Sequence, residues 1–171
     1  VLSWAKDQIA QGVSGVVITQ GTDTLEETAL FFEYLWDHQE PLVLTGAMRS
    51  AKQAGAEGPV NLLDACRVAL ADNSRQRGVQ VVMNGEIHEA RYVRKTDSLA
   101  LHAFSSPVFG PAGLLVEGVV RYLRQPTPRM LLPLPQHTTQ NVAMLEASLS
   151  ADTLLLESIL ELGYDGLVIA G

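Results

Sequence analysis

The sequence predicts an α/β protein in which a parallel-sheet domain is followed by the start of a second, smaller α/β domain. Three observations predict it. Short β-branched runs alternate with segments of helical periodicity. A proline-dense stretch then interrupts the pattern. Beyond it come one more strand, one helix and one strand. The composition agrees: 47% of the 171 residues are hydrophobic and 18% charged, which suits a chain that buries a core and not a disordered one.

Trp4, Ala5, Gln8 and Ile9 recur at helical spacing within residues 4–11, and Gly12 ends that helix. Gly15-Val16-Val17-Ile18-Thr19 reads as a buried strand. Gln20 to Thr24 is a tight polar turn, and Leu25 to Trp36 a helix. Thr24 with Glu27 three residues on predicts a capping box at the start of that helix. Pro41 to Thr45 is a second strand, followed by the turn Gly46-Ala47-Met48-Arg49 and a polar loop to Gly58. Pro59 to Asp72 is a second long helix, with Pro59 suited to its first turn. Val79 to Met83 is a third strand. Strands joined through helices run parallel with right-handed crossovers, so this β-α-β-α-β run predicts a Rossmann-like sheet.

After Asn84 the texture changes. Glu86 to Ser98 is polar and mixed, as in a hairpin or excursion loop. Pro126, Pro128, Pro133 and Pro135 predict a linker. Asn141 to Leu145, Ala151 to Leu162 and Gly166 to Ala170 then read as strand, helix and strand. The expected division is a first domain over 1–121, a Pro-rich linker over 122–140, and the beginning of a second domain over 141–171. That last segment is too short to build a core alone. Residue 1 is Val inside a helical pattern, and the chain stops directly after an apolar run, so both ends read as cut.

The formal charge is -7 and the pI about 5.0, an acidic balance that repels phosphate and argues against a nucleic-acid partner. No stretch reaches the ~18–20 apolar residues of a membrane span, so no membrane partner is expected. No signal peptide opens the chain, and with the ends cut this leaves the compartment open between cytoplasm and periplasm. Cys66 stands alone, which rules out an intrachain disulfide, and its apolar surroundings predict a small buried core residue. His38, His88, His102 and His137 lack the spacing of a zinc helix. There is no Gly-x-Ser-x-Gly elbow and no phosphate-binding loop. No metal is predicted.

In parallel sheets, ligands bind beyond the carboxyl ends of the strands. Here those ends carry Thr22 and Asp23, then Gly46 to Arg49, then Asn84 to Glu86. Thr22-Asp23-Thr24 concentrates hydroxyls and a carboxylate at a helix N-terminus. Spacing leaves two readings open: capping groups alone, or a turn whose N–H groups stabilise an oxyanion. Lys95 by default is a solvated surface lysine.

At this point the residues resemble a known family. Val17-Ile18-Thr19-Gln20-Gly21-Thr22-Asp23-Thr24-Leu25-Glu26-Glu27-Thr28-Ala29 is similar to the second threonine motif of L-asparaginases. Val43 to Arg49, Gly58 to Ala65, Val81 to Ile87, Lys95-Thr96 and Gly110-Pro111-Ala112-Gly113 continue the likeness in order. Leu162 to Gly171 resembles the second domain. The resemblance spans nearly the whole chain. It implies hydrolysis of L-asparagine to the acidic amino acid and ammonia, with L-glutamine an open second substrate and no cofactor. It casts Thr22 as the residue that orients the attacking group and offers its N–H to the oxyanion. Asp23 would pair with the substrate α-ammonium, Lys95 would sit beside the Thr22 hydroxyl, and the Ala47 carbonyl would receive the substrate's amide nitrogen. It implies a homo-oligomer, a tetramer built from intimate dimers, with a second-domain residue of the neighbouring subunit completing each site. The family's nucleophile lies in a Thr-Gly-Gly-Thr-Ile segment that this sequence lacks, so this chain alone is expected to be inactive. Gln20 stands where the family usually has His, and Arg94 where many members have Thr. Two alternatives stay open: a non-catalytic module that associates or binds an amino acid, and the asparaginase-like subunit of a tRNA-dependent amidotransferase.

Overall fold

The structure, a computed structural model, describes residues 1–137, 139–149 and 153–171. They form two compact units, Val1–Leu132 and Pro133–Gly171. In the first, helix α1 (Leu2–Ala10) leads to strand β1 (Val16–Thr19), helix α2 (Leu25–Leu35), β2 (Leu42–Thr45), α3 (Gly58–Leu70) and β3 (Val79–Met83). β1, β2 and β3 pair in parallel, as the βαβαβ pattern predicts. The sheet then continues beyond that pattern. β4 (Glu86–Glu89), β7 (Gly113–Val116) and β8 (Val119–Tyr122) add on antiparallel, giving a mixed six-stranded sheet in the order β1-β2-β3-β4-β7-β8. Between β4 and β7 the chain makes a separate two-stranded ribbon, β5 (Arg94–Lys95) with β6 (Phe104–Ser105).

Successive side chains on a strand face opposite ways, and the two faces bury different residues. Leu42, Leu44, Val79, Val81 and Met83 pack with Ala5, Ile9, Leu25 and Ala29 of the first two helices and with Trp36, which follows α2. Val43 and Val82 pack instead with Ala65, Val68 and Ala69 of α3. Each of these buried Leu and Val side chains contributes about 1.5–3 kcal/mol. Strands covered on both sides lose polar alternation, which is why β2 and β3 are mostly apolar, with Thr45 and Gln80 their buried polar members. Trp4 is the exception on α1: it is 57% exposed, and Ala5 and Ile9 form the buried stripe. Cys66 is only half-buried, because it lies on the flank of α3 between buried Ala65 and the outward-facing Arg67.

The hairpins need left-handed backbone. Asn84 and Gly85 join β3 to β4 with φ of 52° and 76°, and Glu117 and Gly118 join β7 to β8 with φ of 51° and 77°. Two positive φ values in a two-residue loop match the twist of antiparallel strands.

The amino ends of the parallel strands are closed by charge. The Glu33 carboxylate, on the last turns of α2, is buried; it accepts from Val79 N–H at 2.9 Å and from Arg129 Nε at 2.8 Å. Arg129 also donates to the Trp36 carbonyl, and Leu132 N–H to Tyr34 O. Residues 122–132, expected at the head of the linker, therefore fall in the first unit.

In the second unit β9 (Val142–Glu146), α4 (Leu154–Glu161) and β10 (Gly166–Ala170) form a parallel βαβ unit. Asn141 N–H donates to the Asp165 carboxylate at 2.8 Å, which fixes the entry to β9 against that to β10. Ala151 and Asp152, the expected first residues of the helix, lie outside the described residues. Among the described residues no helix is long and apolar enough to cross a membrane.

Candidate active site

β1 ends at Thr19, and Gln20-Gly21 leads into a 3-10 turn, Thr22–Thr24, that runs straight into α2. Gln20 holds this turn. Its Nε2 donates to Thr24 Oγ1 at 3.1 Å, to the Thr24 carbonyl at 3.2 Å and to Thr28 Oγ1 at 2.9 Å. The expected capping box does not form: Thr24 stands at the N-cap without a side-chain cap bond, because its hydroxyl is engaged by the Gln20 amide. With Thr24 committed to Gln20, Thr22 and Asp23 remain for other partners.

Lys95, 73 residues from Thr22 in sequence, supplies one. Its Nζ donates to Thr22 Oγ1 at 2.9 Å and to Asp23 Oδ1 at 2.8 Å. The lysine side chain is 18% exposed, so it is not the solvated surface residue that its local sequence suggests. An ammonium at that distance stabilises negative charge developing on the hydroxyl. Lys95, through its hydrogen bond first and its charge second, holds the Asp23 carboxyl below the ordinary aspartate range. Asp23 is 96% exposed, so water screens this pair and it adds little stability. Its Oδ2 faces solvent, open to a second cation.

Ala47 follows β2 in the neighbouring turn. It lines a cavity of about 390 Å³ with Thr19, Gln20, Gly21, Thr45 and Gly46, at the carboxyl ends of β1 and β2. Asp23 and Lys95 line a groove of their own with Thr96, Asp97 and Ser98. The structure thus brings Thr22, Asp23 and Lys95 into direct contact and sets Ala47 on the wall of the cavity between the turns after β1 and β2. The backbones of the two turns nearly touch: a Cβ on Gly46 would lie 2.5 Å from the Gln20 carbonyl oxygen.

Three supporting residues escape sequence reasoning. Asn61 is 1% exposed; its Nδ2 donates to Gly46 O at 3.0 Å and its Oδ1 accepts from Asn84 N–H at 3.1 Å, tying the turns after β2 and β3 together. Glu57 accepts from Met48 and Arg49 N–H and fixes the turn that carries Ala47. Glu26 accepts from the Lys95 backbone N–H. Asn61 leaves one usable signal. It shares the buried stripe of α3 with Ala65 and Val68, and a polar residue on such a stripe must find hydrogen-bond partners.

Residues 1–128 match the family model described as Asparaginase, N-terminal. The chain belongs to the asparaginase family. It is 39% identical over 166 residues to the probable periplasmic L-asparaginase of Haemophilus influenzae, covering 94% of this chain and 48% of that one. It is 42% identical over 120 residues to a glutaminase-asparaginase of Pseudomonas fluorescens biotype A, covering 70% and 33%. The crystal structure of a probable cytoplasmic L-asparaginase from Campylobacter jejuni superposes with a TM-score of 0.90 at 36% identity, covering 99% of this chain and 57% of that one. The chain spans about half, or less, of the length of these curated relatives.

Proposed function

We propose that this chain is the central part of an L-asparagine amidohydrolase that uses threonine chemistry. One observation carries the reading: a lysine ammonium 2.9 Å from a threonine hydroxyl and 2.8 Å from a carboxylate, at the carboxyl end of a parallel strand. In the reaction, water adds across the side-chain amide carbon, the C–N bond breaks, and ammonia leaves with a carboxylate behind. Thr22 orients the attacking group and presents its backbone N–H to the developing oxyanion. Lys95 stabilises negative charge at the Thr22 hydroxyl. Asp23, its carboxyl held below the ordinary aspartate range by Lys95, takes the substrate α-ammonium on the oxygen that Lys95 does not use. The Ala47 carbonyl accepts from the amide nitrogen. L-glutamine is a second candidate substrate, since one relative is a glutaminase-asparaginase.

The first unit is read as a Rossmann-like domain incomplete at its start, and the second as the beginning of a C-terminal domain. The whole protein is read as a homotetramer built from intimate dimers, each site completed by the neighbouring subunit. No Thr-Gly-Gly-Thr-Ile segment occurs among the 171 residues, so the polypeptide by itself is expected to be inactive. The test is ammonia release from L-asparagine by this polypeptide and by a full-length protein containing it, each with Thr22→Ala. Turnover only by the full-length protein, abolished by Thr22→Ala with the fold retained, is the expected result. Near-normal turnover in that variant would remove Thr22 from the chemistry.

A further inference from the structure

A lysine side chain is a flexible four-carbon stem, so its ammonium reaches a fixed point only if its backbone is also fixed. The backbone of Lys95 sits on a two-residue strand that pairs Arg94↔Ser105 and Lys95↔Phe104, with Thr96 N–H donating to Ala103 O at 2.7 Å just beyond it. The Lys95 N–H does not serve that pairing. It donates to Glu26 Oε2, on the first turn of α2. Among the described residues no ion pair within 4.0 Å involves Glu26. The segment 22–26 therefore grips Lys95 at both ends: the Glu26 carboxylate holds the main chain, while the Thr22 hydroxyl and Asp23 carboxylate hold the ammonium.

We propose that Glu26 is a positioning residue that fixes the main chain of Lys95, so that the lysine ammonium meets Thr22 and Asp23. The task needs an acceptor for the Lys95 N–H, and the Glu26 side-chain oxygen supplies it. This bond also explains how a short excursion ribbon is registered against the helix that follows the catalytic turn. The alternative role is generic: an acidic side chain in a first turn complements the helix dipole. That role leaves Lys95 where it is when Glu26 is removed. The catalytic consequence rests on the function proposed above; the placement of Lys95 does not.

The test is an NMR titration of the Asp23 carboxyl in the 171-residue chain, because Asp23 reports the ammonium beside it. Lys95→Met sets the reference, an upward shift of the Asp23 titration into the ordinary aspartate range. Glu26→Ala is expected to give the same upward shift with the buried Trp36 environment unchanged. Glu26→Gln keeps a carbonyl acceptor for Lys95 N–H and is expected to leave the Asp23 titration at its wild-type position. A shift with Lys95→Met but none with Glu26→Ala would overturn the proposal. So would a folded Glu26→Gln chain that shifts as far as Lys95→Met, a comparison that stands even where Glu26→Ala does not fold. No shift with Lys95→Met would also overturn it, since the pair being positioned would be absent. Ammonia release is not read in any arm, so the outcome is independent of whether asparagine is the substrate.

Discussion

Asn61→Ala is expected to cost the first unit about 2–4 kcal/mol. The side chain is 1% exposed and makes one hydrogen bond to Gly46 O and one from Asn84 N–H. Each such bond contributes roughly 1 kcal/mol net, and a partner left buried and unpaired adds about 1–3 kcal/mol more. Alanine is the better helix former, but by no more than about 0.7 kcal/mol, so the lost bonds win. Asn61→Asp keeps an acceptor for Asn84 N–H while placing a carboxylate against the Gly46 carbonyl, and is expected to cost at least as much. Urea unfolding followed by tryptophan fluorescence reads the effect. Trp36 is fully buried in the first unit and reports its opening, whereas exposed Trp4 changes little. The midpoint should fall with the slope unchanged. A loss below about 1 kcal/mol would refute the reasoning, because it would mean that the two turns do not depend on this side chain.

Two further outcomes follow from the same geometry. Gly46→Ala places a Cβ 2.5 Å from the Gln20 carbonyl oxygen, a main-chain atom that cannot rotate aside. It should destabilise by about 1–3 kcal/mol and move the amide signals of Gly21 and Thr22, and an unchanged spectrum would count against the close approach of the two turns. His88 is fully buried with Nδ1 on Ser106 Oγ at 3.0 Å, and burial, with Arg124 nearby, lowers its pKa from 6.5 to about 4. The Glu86 carboxylate lies 3.3 Å from Nε2 but makes no hydrogen bond and is 40% exposed, so burial prevails. The unfolded chain then binds the proton that the folded chain refuses. Stability should therefore fall as pH drops from 6.5 toward 4, by at most about 3 kcal/mol, and His88→Phe should flatten that window relative to wild type. Parallel pH profiles of the urea midpoint for the two proteins would contradict this.

The parts of the fold legible in the sequence are those specified locally. β2 and β3 are runs of residues buried on both faces, and their neighbours along the chain suffice to mark them. Asn84-Gly85 carries the preferred residues of a two-residue hairpin loop, a local signal that the reading of a hairpin or excursion loop over Glu86 to Ser98 does not use. Glu117-Gly118 adopts the same backbone with a glutamate at the first position, and the β7–β8 hairpin gave no comparable signal. The capping box fails for a different reason. The Thr-x-x-Glu spacing is present, but Gln20, outside the motif, takes the Thr24 hydroxyl. A local pattern proposes a bond, and the nearest competing donor decides whether it forms.

The site lies further beyond local reading, and the two ends of the sheet show why. At the amino ends, Glu33 meets Arg129 from 96 residues away, and both are satisfied by the fold itself. At the carboxyl ends, Thr22, Asp23 and Ala47 sit on turns left partly open to solvent, and Lys95 arrives from a ribbon outside the main sheet. Neither contact leaves a periodicity in the chain. The difference is that Glu33 and Arg129 at the amino end spend their bonds on the unit itself, while the carboxyl end keeps an exposed carboxylate and an unfilled cavity. Groups that stability does not require are those a sequence specifies least through local pattern, and those a bound substrate is best placed to use. Glu26, Asn61 and Glu57 reconcile the two demands: each bonds to main chain, and each holds in place a turn or a strand that must stay available.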